Sequence, residues 1–215
     1  MPSIRLKPVE IPTPRTAHTP FNRALYWQSP YESHISEPAV SVFVAPRAFV
    51  RVSAHAGSDL DNEVGGWLIG KWRLDENLNQ QFIVVENSLP APFTRHGQAF
   101  LTFTQDSQVA LQNLLEERFP GKDLVGWYHT HPRMGVFFSS YDTWLHSHFF
   151  PGLHQVAMVV EPYASTGGFF VRSEDGSLDP RRYYGFYELI NHKQGSVVHW
   201  SNLIPAIACK NRRNL

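Results

Sequence analysis

Apolar residues occur in short runs along the chain, and this pattern predicts strands alternating with three helices. Runs bounded by Gly, Pro, Asn or Asp are typical of buried strands, whereas apolar positions repeating every three to four residues indicate helices. Strands are predicted at residues 41–46, 63–72, 81–87, 98–103, 123–131, 155–160, 168–172 and 183–190. Helices are predicted at residues 47–56, 104–119 and 140–150. This order predicts an α/β domain with a mixed sheet flanked by helices.

Capping and breaking residues set the limits of the predicted helices. Gly57 ends the first helix, and Pro151-Gly152 ends the third. Thr104 is a candidate N-cap for the second helix, which Pro120-Gly121 ends. Its apolar stripe, expected in the core, consists of Val109, Leu111, Leu114, Leu115 and Phe119. Residues 87–97 contain Pro, Asn and Gly and are predicted to form a loop.

Extensions are predicted at both ends of a domain that covers residues 39–190. Residues 1–38 form a Pro-rich N-terminal arm, expected to be extended because proline removes backbone donors and disfavours helix. The arm either lies along the domain or serves as a tether, and Phe21, Tyr26, Trp27 and Tyr31 indicate that its second half packs. Residues 191–215 are predicted to be a C-terminal tail with a possible strand at 196–200.

Composition and charge exclude several classes of protein. Hydrophobic residues make up 42% and aromatic residues 13% of the chain, which is sufficient for a buried core. Nineteen basic and nineteen acidic residues give a net charge of zero, so we expect no nucleic-acid partner. No apolar run approaches the ~20 residues of a membrane helix, and the first residues lack a signal-peptide core. A lone Cys209 suits a reducing compartment, and we expect a soluble cytoplasmic protein without a membrane partner.

The segment from Gly126 to Asp142 carries the candidate chemistry. His129 and His131 are two residues apart in a strand that Pro132 ends, so their side chains project from the same face. Asp142 is the nearest carboxylate that could complete the set. Two imidazoles, one carboxylate and a position left for water form a catalytic zinc site, whereas structural sites are usually closed by cysteines. A single cysteine excludes a cysteine-built site.

Ser139-x-x-Asp142 has a second interpretation as a helix capping box. The two interpretations are compatible, because a cap would hold Asp142 in the first helical turn, facing the histidines. Farther along this helix, His146 shares a face with Asp142, and we expect it to be buried or to support a ligand. We expect His148 on the surface and His55 at the end of the first helix, packed or solvated rather than a ligand.

A catalytic zinc site also needs a nearby carboxylate that accepts a proton from water and passes it to the leaving group. The candidates, which the sequence pattern alone does not separate, are Asp59, Asp61, Glu63, Glu76 and Glu86.

The segment 125–142 resembles the signature of the JAMM (MPN-plus) zinc metalloproteases, through Val-Gly-Trp-Tyr, His-Thr-His-Pro and Ser-x-x-Asp. That family includes the deubiquitinating subunits of the proteasome lid and the COP9 signalosome, and shorter prokaryotic JAB-type relatives. The resemblance extends to residues 54–56, 63–70 and 156–163, and covers roughly residues 40–190.

The resemblance implies a cytidine-deaminase-like MPN/JAMM fold and one Zn2+ per chain, held by His129, His131 and Asp142. It selects Glu63 as the proton-transferring carboxylate and assigns Ser139 to steadying the oxyanion. The implied reaction is attack of zinc-activated water on the amide after the C-terminus of ubiquitin or a ubiquitin-like protein. The implied partners are such conjugates, with possible activating or conjugating enzymes of the same pathway.

The substrate's C-terminal tail would pair as an extended strand with an exposed sheet edge. Its expected lining is residues 87–98 and 133–138. Two alternatives stay open: a non-catalytic MPN scaffold, and a zinc peptidase acting on another substrate, such as a sulfur-carrier precursor or a small peptide. Residues 133–138 differ from the Cys-Trp-Leu-like run of eukaryotic relatives, and the chain lacks room for a long second insertion, so linkage preference is not predicted.

Overall fold

The computed structural model describes residues 12–91, 95–97, 100–102, 105–190 and 195–206. The predicted cap Thr104, Cys209 and the outer parts of the arm and tail lie outside these residues. The helices are α1 (Pro46–Ala56), α2 (Gln105–Arg118) and α3 (Ser140–Phe149), and a 3-10 turn covers Phe21–Arg23. The strands are β1 (Arg15–Thr16), β2 (Ala24–Gln28), β3 (Ser41–Val44), β4 (Gly65–Asp75), β5 (Gln80–Pro90), β6 (Arg95–Gly97), β7 (Phe100–Thr102), β8 (Asp123–Thr130), β9 (Val156–Glu161), β10 (Thr166–Phe170), β11 (Phe186–Leu189) and β12 (Ile204–Ala206).

A mixed sheet organises the described part of the chain and confirms the predicted α/β class. Its strand order is β10-β9-β8-β4-β5-β3-β11-β2-β12, and β1 pairs with β4 beyond the end of β8. The β8–β9, β3–β5, β3–β11 and β1–β4 pairs are parallel, whereas β4 is antiparallel to β5 and β8. A bridge between Phe169 and Tyr184 links β10 to the residues before β11, so the sheet curls toward closure. Strands β6 and β7 form a separate two-stranded antiparallel sheet.

Strand β8 lies between β9 and β4, and its two faces contact different helices. The hydroxyl of Tyr128 is hydrogen-bonded to His55 of α1 on one face, whereas the indole of Trp127 donates a hydrogen bond to His146 of α3 on the other. Gly126 has a φ of 154°, and a Cβ there would lie 2.0 Å from the carbonyl oxygen of Val156. Close approach of β8 and β9 therefore requires glycine at position 126.

Three predictions need correction. Residues 87–90, predicted as loop, continue β5 because they pair with β4 over Gly66–Ile69. Residues 196–200, predicted as a possible strand, form no strand. Val198 and Trp200 pack into the core and His199 is exposed, so burial alternates here without strand pairing. Val109, predicted in the core, is 54% exposed, because the side of α2 that faces the core carries Leu111 instead. The strand of the tail is β12, and it pairs with β2.

The proposed boundaries at residues 38 and 190 remain predictions. The described part of the predicted arm contributes β2 to the sheet, paired with β11. Within the described residues, no helix is long and apolar enough to cross a membrane.

Candidate metal centre

Backbone hydrogen bonds to neighbouring segments fix the position of the two histidines at the end of β8. The backbone N–H of Thr130 donates to the carbonyl of Val64 at 2.9 Å, and that of His131 donates to the carbonyl of Val160 at 2.9 Å. Both imidazoles are buried, with 0% exposure for His129 and 2% for His131. Both side chains are therefore shielded from solvent at the end of β8.

Three donor groups converge at this point. The Nε2 atoms of His129 and His131 are 3.0 Å apart. Asp142 places Oδ1 at 3.3 Å from the first of these atoms and Oδ2 at 3.5 Å from the second. Among the described residues, these three side chains form the one group of His, Cys, Asp or Glu found close enough to share a metal ion.

The spacing of these donors fits a tetrahedral metal ion. Bonds of ~2.0–2.1 Å to a tetrahedral zinc ion place neighbouring ligand atoms about 3.3 Å apart. The separation of the two Nε2 atoms and the approach of one Asp142 oxygen to each of them lie within a few tenths of an ångström of that value. Two imidazoles and one carboxylate are also the donor set that a borderline-soft divalent ion takes.

Packing orients the two rings. The Nδ1 atoms of both histidines are buried and have no hydrogen-bond partner in the described part of the chain. The indole of Trp127 stacks on His129 with ring centres 4.5 Å apart and planes 10° apart. Phe137 contacts the ring of His131 at 4.7 Å between centres.

Helix α3 delivers the carboxylate, and its first turn contains the predicted capping box. The backbone N–H of Asp142 donates to the hydroxyl of Ser139 at 3.1 Å, and the backbone N–H of Ser139 donates to Asp142 Oδ2 at 2.7 Å. Burial alone would raise the pKa of Asp142. The nearby His129 and hydrogen bonds from both histidines and Ser139 nevertheless hold that pKa well below its usual range. Asp142 is therefore an ionised carboxylate aimed at the two imidazoles.

Glu63 lies beside the donors without joining them. It is 2% exposed, and its Oε1 lies 3.8 Å from His131 Nε2. The segment before β4 is tied to the histidine strand, because the N–H of Val64 donates to the hydroxyl of Thr130 at 2.9 Å. Burial, followed by the charge of Asp142, raises the pKa of Glu63 to about 8. Of the carboxylates left open by the sequence, Asp61 and Glu76 are exposed, and Glu86 is paired with Lys71 and Lys122.

The remaining histidines separate by burial. His146 is 1% exposed and accepts a hydrogen bond from the Trp127 indole, whereas His148 is exposed on α3. Burial, then the charges of Arg172 and His129, lowers the pKa of His146 to about 3. His55 contacts the hydroxyl of Tyr128 at 2.8 Å and is not among the donors.

Sequence reasoning missed the residues that fix the loop after Pro132. The buried carboxylate of Glu161 accepts the backbone N–H groups of Arg133, Tyr163 and Ala164. Arg133 has a φ of 62° and places its guanidinium 4.1 Å from the ring centre of Tyr163. The sequence signal was weak: Glu161 follows a buried strand, but nothing in the sequence names its partners. Of the predicted substrate lining, residues 92–94 and 98 lie outside the described residues.

Fold and donor set together define a mixed α/β protein with a candidate His-His-Asp metal centre at the end of strand β8. Residues 37–150, more than half of the chain, match the JAB1/Mov34/MPN/PAD-1 ubiquitin protease family. The chain belongs to that family, which confirms the resemblance seen in the sequence.

Relatives of known name share low identity with this chain. It is 23% identical over 161 residues to the 26S proteasome non-ATPase regulatory subunit 14 of Caenorhabditis elegans, covering 74% of this chain and 50% of that protein. It is 26% identical over 129 residues to the ubiquitin carboxyl-terminal hydrolase RPN11 of Saccharomyces cerevisiae, covering 60% and 40%. It is 35% identical over 97 residues to the NAD(+) hydrolase TcpA of a Theionarchaea archaeon, covering 44% and 26%. The chain spans about half the length, or less, of these relatives.

Proposed function

We propose that this chain is a zinc-dependent isopeptidase or peptidase that cleaves the amide bond after the C-terminus of ubiquitin or a ubiquitin-like protein. The observation that carries the proposal is the convergence of three metal donors beside Glu63, a buried carboxyl group. Two of the relatives that match this chain are named as a ubiquitin hydrolase and a proteasome regulatory subunit, which supports the substrate class.

His129, His131 and Asp142 would hold the metal ion. When bound, zinc supplies Lewis acidity, which polarises a carbonyl group and lowers the pKa of water to about 7. The low pKa of Asp142 supports this role, because a ligand must be ionised at neutral pH. Burial lowers the pKa of His129, which favours the neutral ring that a ligand must have.

Glu63 would transfer the proton. As the water oxygen bonds to the carbonyl carbon, the Glu63 carboxylate accepts a proton from that water. As the C–N bond breaks, the carboxyl group returns the proton to the amine that leaves. A pKa raised toward neutrality suits both halves of this exchange, since the group must accept and release a proton at the same pH.

Ser139 would stabilise the negative charge that develops on the carbonyl oxygen. Its oxygen accepts the N–H of Asp142, so its hydroxyl proton can donate to the substrate. A donor fixed by a helix cap needs little reorganisation when the charge develops.

The extended tail of the substrate would lie along residues 133–138. Arg133, Met134 and Val136 of that segment are at least partly exposed, and its backbone is fixed at one end by Glu161. An extended chain bound through its backbone leaves side-chain pockets to set specificity.

The test is cleavage of a ubiquitin fusion that carries a short C-terminal peptide, by the zinc-loaded full chain. Glu63→Gln should keep zinc and lose at least ~100-fold in turnover, the usual contribution of general acid–base catalysis. His148→Ala, which changes an exposed residue of α3, is the matched control and should cleave like the wild type. Unchanged turnover of Glu63→Gln would refute its role. A zinc-loaded wild type that cleaves no ubiquitin-like fusion would favour the scaffold or another substrate.

A further inference from the structure

The ring of His129 lacks the hydrogen bond that usually orients a metal-binding histidine. Such a histidine normally donates its outer N–H to a carboxylate, a carbonyl or water. Here Nδ1 of His129 is buried without a partner among the described residues. The orientation of this ring therefore depends on the stacked indole of Trp127, whose plane is 10° from its own.

The indole is in turn oriented by a residue of another element. Nε1–H of Trp127 donates to Nδ1 of His146 at 3.0 Å, and both side chains are buried. Rotation of the indole away from its stacked position would break this hydrogen bond and leave a buried donor without its acceptor, which costs free energy.

His146 belongs to the helix that supplies Asp142. The two residues are four positions apart in α3 and are both buried, so the helix presents ligand and acceptor on one face. The guanidinium of Arg172 holds the far end of this helix by donating to the carbonyls of His146 at 3.3 Å, Phe150 at 2.9 Å and Gly152 at 3.2 Å. Helix α3 is thus linked to His129 in two ways: Asp142 contacts its ring directly, and His146 holds the Trp127 indole that stacks on it.

We propose that His146 is a positioning residue that sets the ring plane of His129, through Trp127, relative to Asp142. The inference rests on the proposed metal centre, because it concerns how ligands are held. His146 makes no contact with the three donor atoms, so its effect passes through the indole.

Fold stability alone does not account for this histidine. With Nδ1 accepting from Trp127, the proton of the neutral ring is on Nε2, and Nε2 is buried without a partner in the described part of the chain. A buried donor without a partner lowers stability. The aromatic neighbours Phe138 and Phe150 would pack equally well against an apolar ring.

Two amide substitutions separate the positioning role from simple polarity. The shorter amide of His146→Asn can place its side-chain oxygen close to the position of Nδ1, whereas His146→Gln moves the amide one bond farther along the side chain. We expect His146→Asn to bind Zn2+ within about threefold of the wild type. We expect His146→Gln to bind about tenfold more weakly, the lower range for residues that support metal ligands. Affinity is measured by competition of the purified full chain with a chromophoric zinc chelator.

A second route gives the same answer if one variant does not fold. Trp127→Phe keeps an aromatic ring against His129 but removes the donor, so its zinc affinity should fall by a similar factor. Adding Trp127→Phe to His146→Gln should cause little further loss of zinc affinity, because both changes remove the same hydrogen bond. Thermal unfolding in the presence of a chelator identifies variants that fold without metal.

The outcomes distinguish the inference from the proposed function. If folded His146→Gln and Trp127→Phe bind zinc as tightly as the wild type, the inference is overturned and the metal centre stands. Equal losses for His146→Asn and His146→Gln would also overturn it, since the acceptor position would not matter. A folded wild type that binds no zinc would overturn both.

Discussion

At the scale of single residues, two buried carboxyl groups a few ångströms from the same imidazole have opposite protonation properties. Asp142 lies 3.5 Å and Glu63 3.8 Å from His131 Nε2. Hydrogen bonds to Asp142 favour its ionised form, whereas burial and the charge of Asp142 favour the protonated form of Glu63. Environments that separate two pKa values in this way suit the proposed roles, in which Asp142 holds a cation and Glu63 transfers protons.

The raised pKa of Glu63 makes the metal-free protein less stable in alkali. Its folded pKa of about 8 lies above its ordinary value of 4.5, so its contribution is complete below pH 4.5 and is lost as pH rises through 8. Relative to Glu63→Gln, the wild type should therefore lose stability between pH 5 and pH 9. Each unit of pKa difference corresponds to ~1.4 kcal/mol, so the loss should amount to a few kcal/mol at most.

Urea unfolding in the presence of a chelator, at pH 5, 7 and 9, measures this difference. Other groups, including His129, whose pKa burial lowers, titrate in both proteins. Their contributions to the unfolding free energy cancel in the comparison. A difference in unfolding free energy that stays constant with pH would contradict the assigned protonation of Glu63.

The donors could be predicted from the sequence because their spacing is local. His129, His131 and Asp142 lie within fourteen residues; strand periodicity places the two histidines on one face, and Asp142 is the nearest carboxylate along the chain. The supports could not be predicted in this way. Glu161 and Arg133 meet across twenty-eight positions through a backbone N–H, and backbone partners leave no mark in side-chain identity.

At the scale of elements, the first turn of α3 combines a structural and a proposed catalytic task in Ser139. Its oxygen caps the helix by accepting the N–H of Asp142, and its hydroxyl is the proposed oxyanion donor. The cap also fixes Asp142, the proposed metal ligand, because the capping box pairs the same two residues.

Two substitutions at position 139 separate these tasks. Replacing an N-cap serine by alanine lowers stability by ~1 kcal/mol, whereas replacing it by glycine lowers stability by only about a few tenths of a kcal/mol. Ser139→Ala should therefore destabilise the protein more than Ser139→Gly, while both lose the hydroxyl and a similar factor of roughly 10–1,000 in turnover. Chemical unfolding and fusion cleavage measure the two effects. Turnover that follows stability, with Ser139→Gly close to the wild type, would assign Ser139 to capping alone.

The helices were predicted to within one residue at each end, because caps and breakers mark them in the sequence. Strand limits were less accurate. The predicted loop at 87–90 is part of β5, since pairing with β4 outweighed the turn propensity of Asn87 and Pro90. Alternation at 196–200 came from packing of Trp200 against Phe49 and Phe186, which no local pattern distinguishes from a strand.

At the scale of the whole molecule, one buried carboxylate joins both ends of the described chain to the sheet. Glu188 of β11 is 1% exposed and accepts hydrogen bonds from Trp27 Nε1 at 2.9 Å, the hydroxyl of Ser196 at 2.6 Å and the N–H of Val197 at 2.7 Å. Trp27 lies 161 positions away, so sequence pattern could not identify this contact.

Removal of this carboxylate should loosen both ends together. Glu188→Ala leaves three donors without their acceptor and should lower the free energy of unfolding by at least ~2 kcal/mol. Glu76→Ala is the matched control, because Glu76 is exposed and should change stability by less than ~0.5 kcal/mol. Guanidinium unfolding curves compare them. Equal midpoints for the two variants would contradict the assigned role of Glu188.

The central claim is that His129, His131 and Asp142 hold one zinc ion, and elemental analysis tests it most directly. The zinc-to-protein ratio is measured for the purified wild type beside His131→Ala and Asp142→Ala, with circular dichroism to confirm folding. We expect about one zinc per wild-type chain and little or none in the variants. A folded wild type that takes up no zinc after reconstitution, or variants that retain the full ratio, would contradict the account.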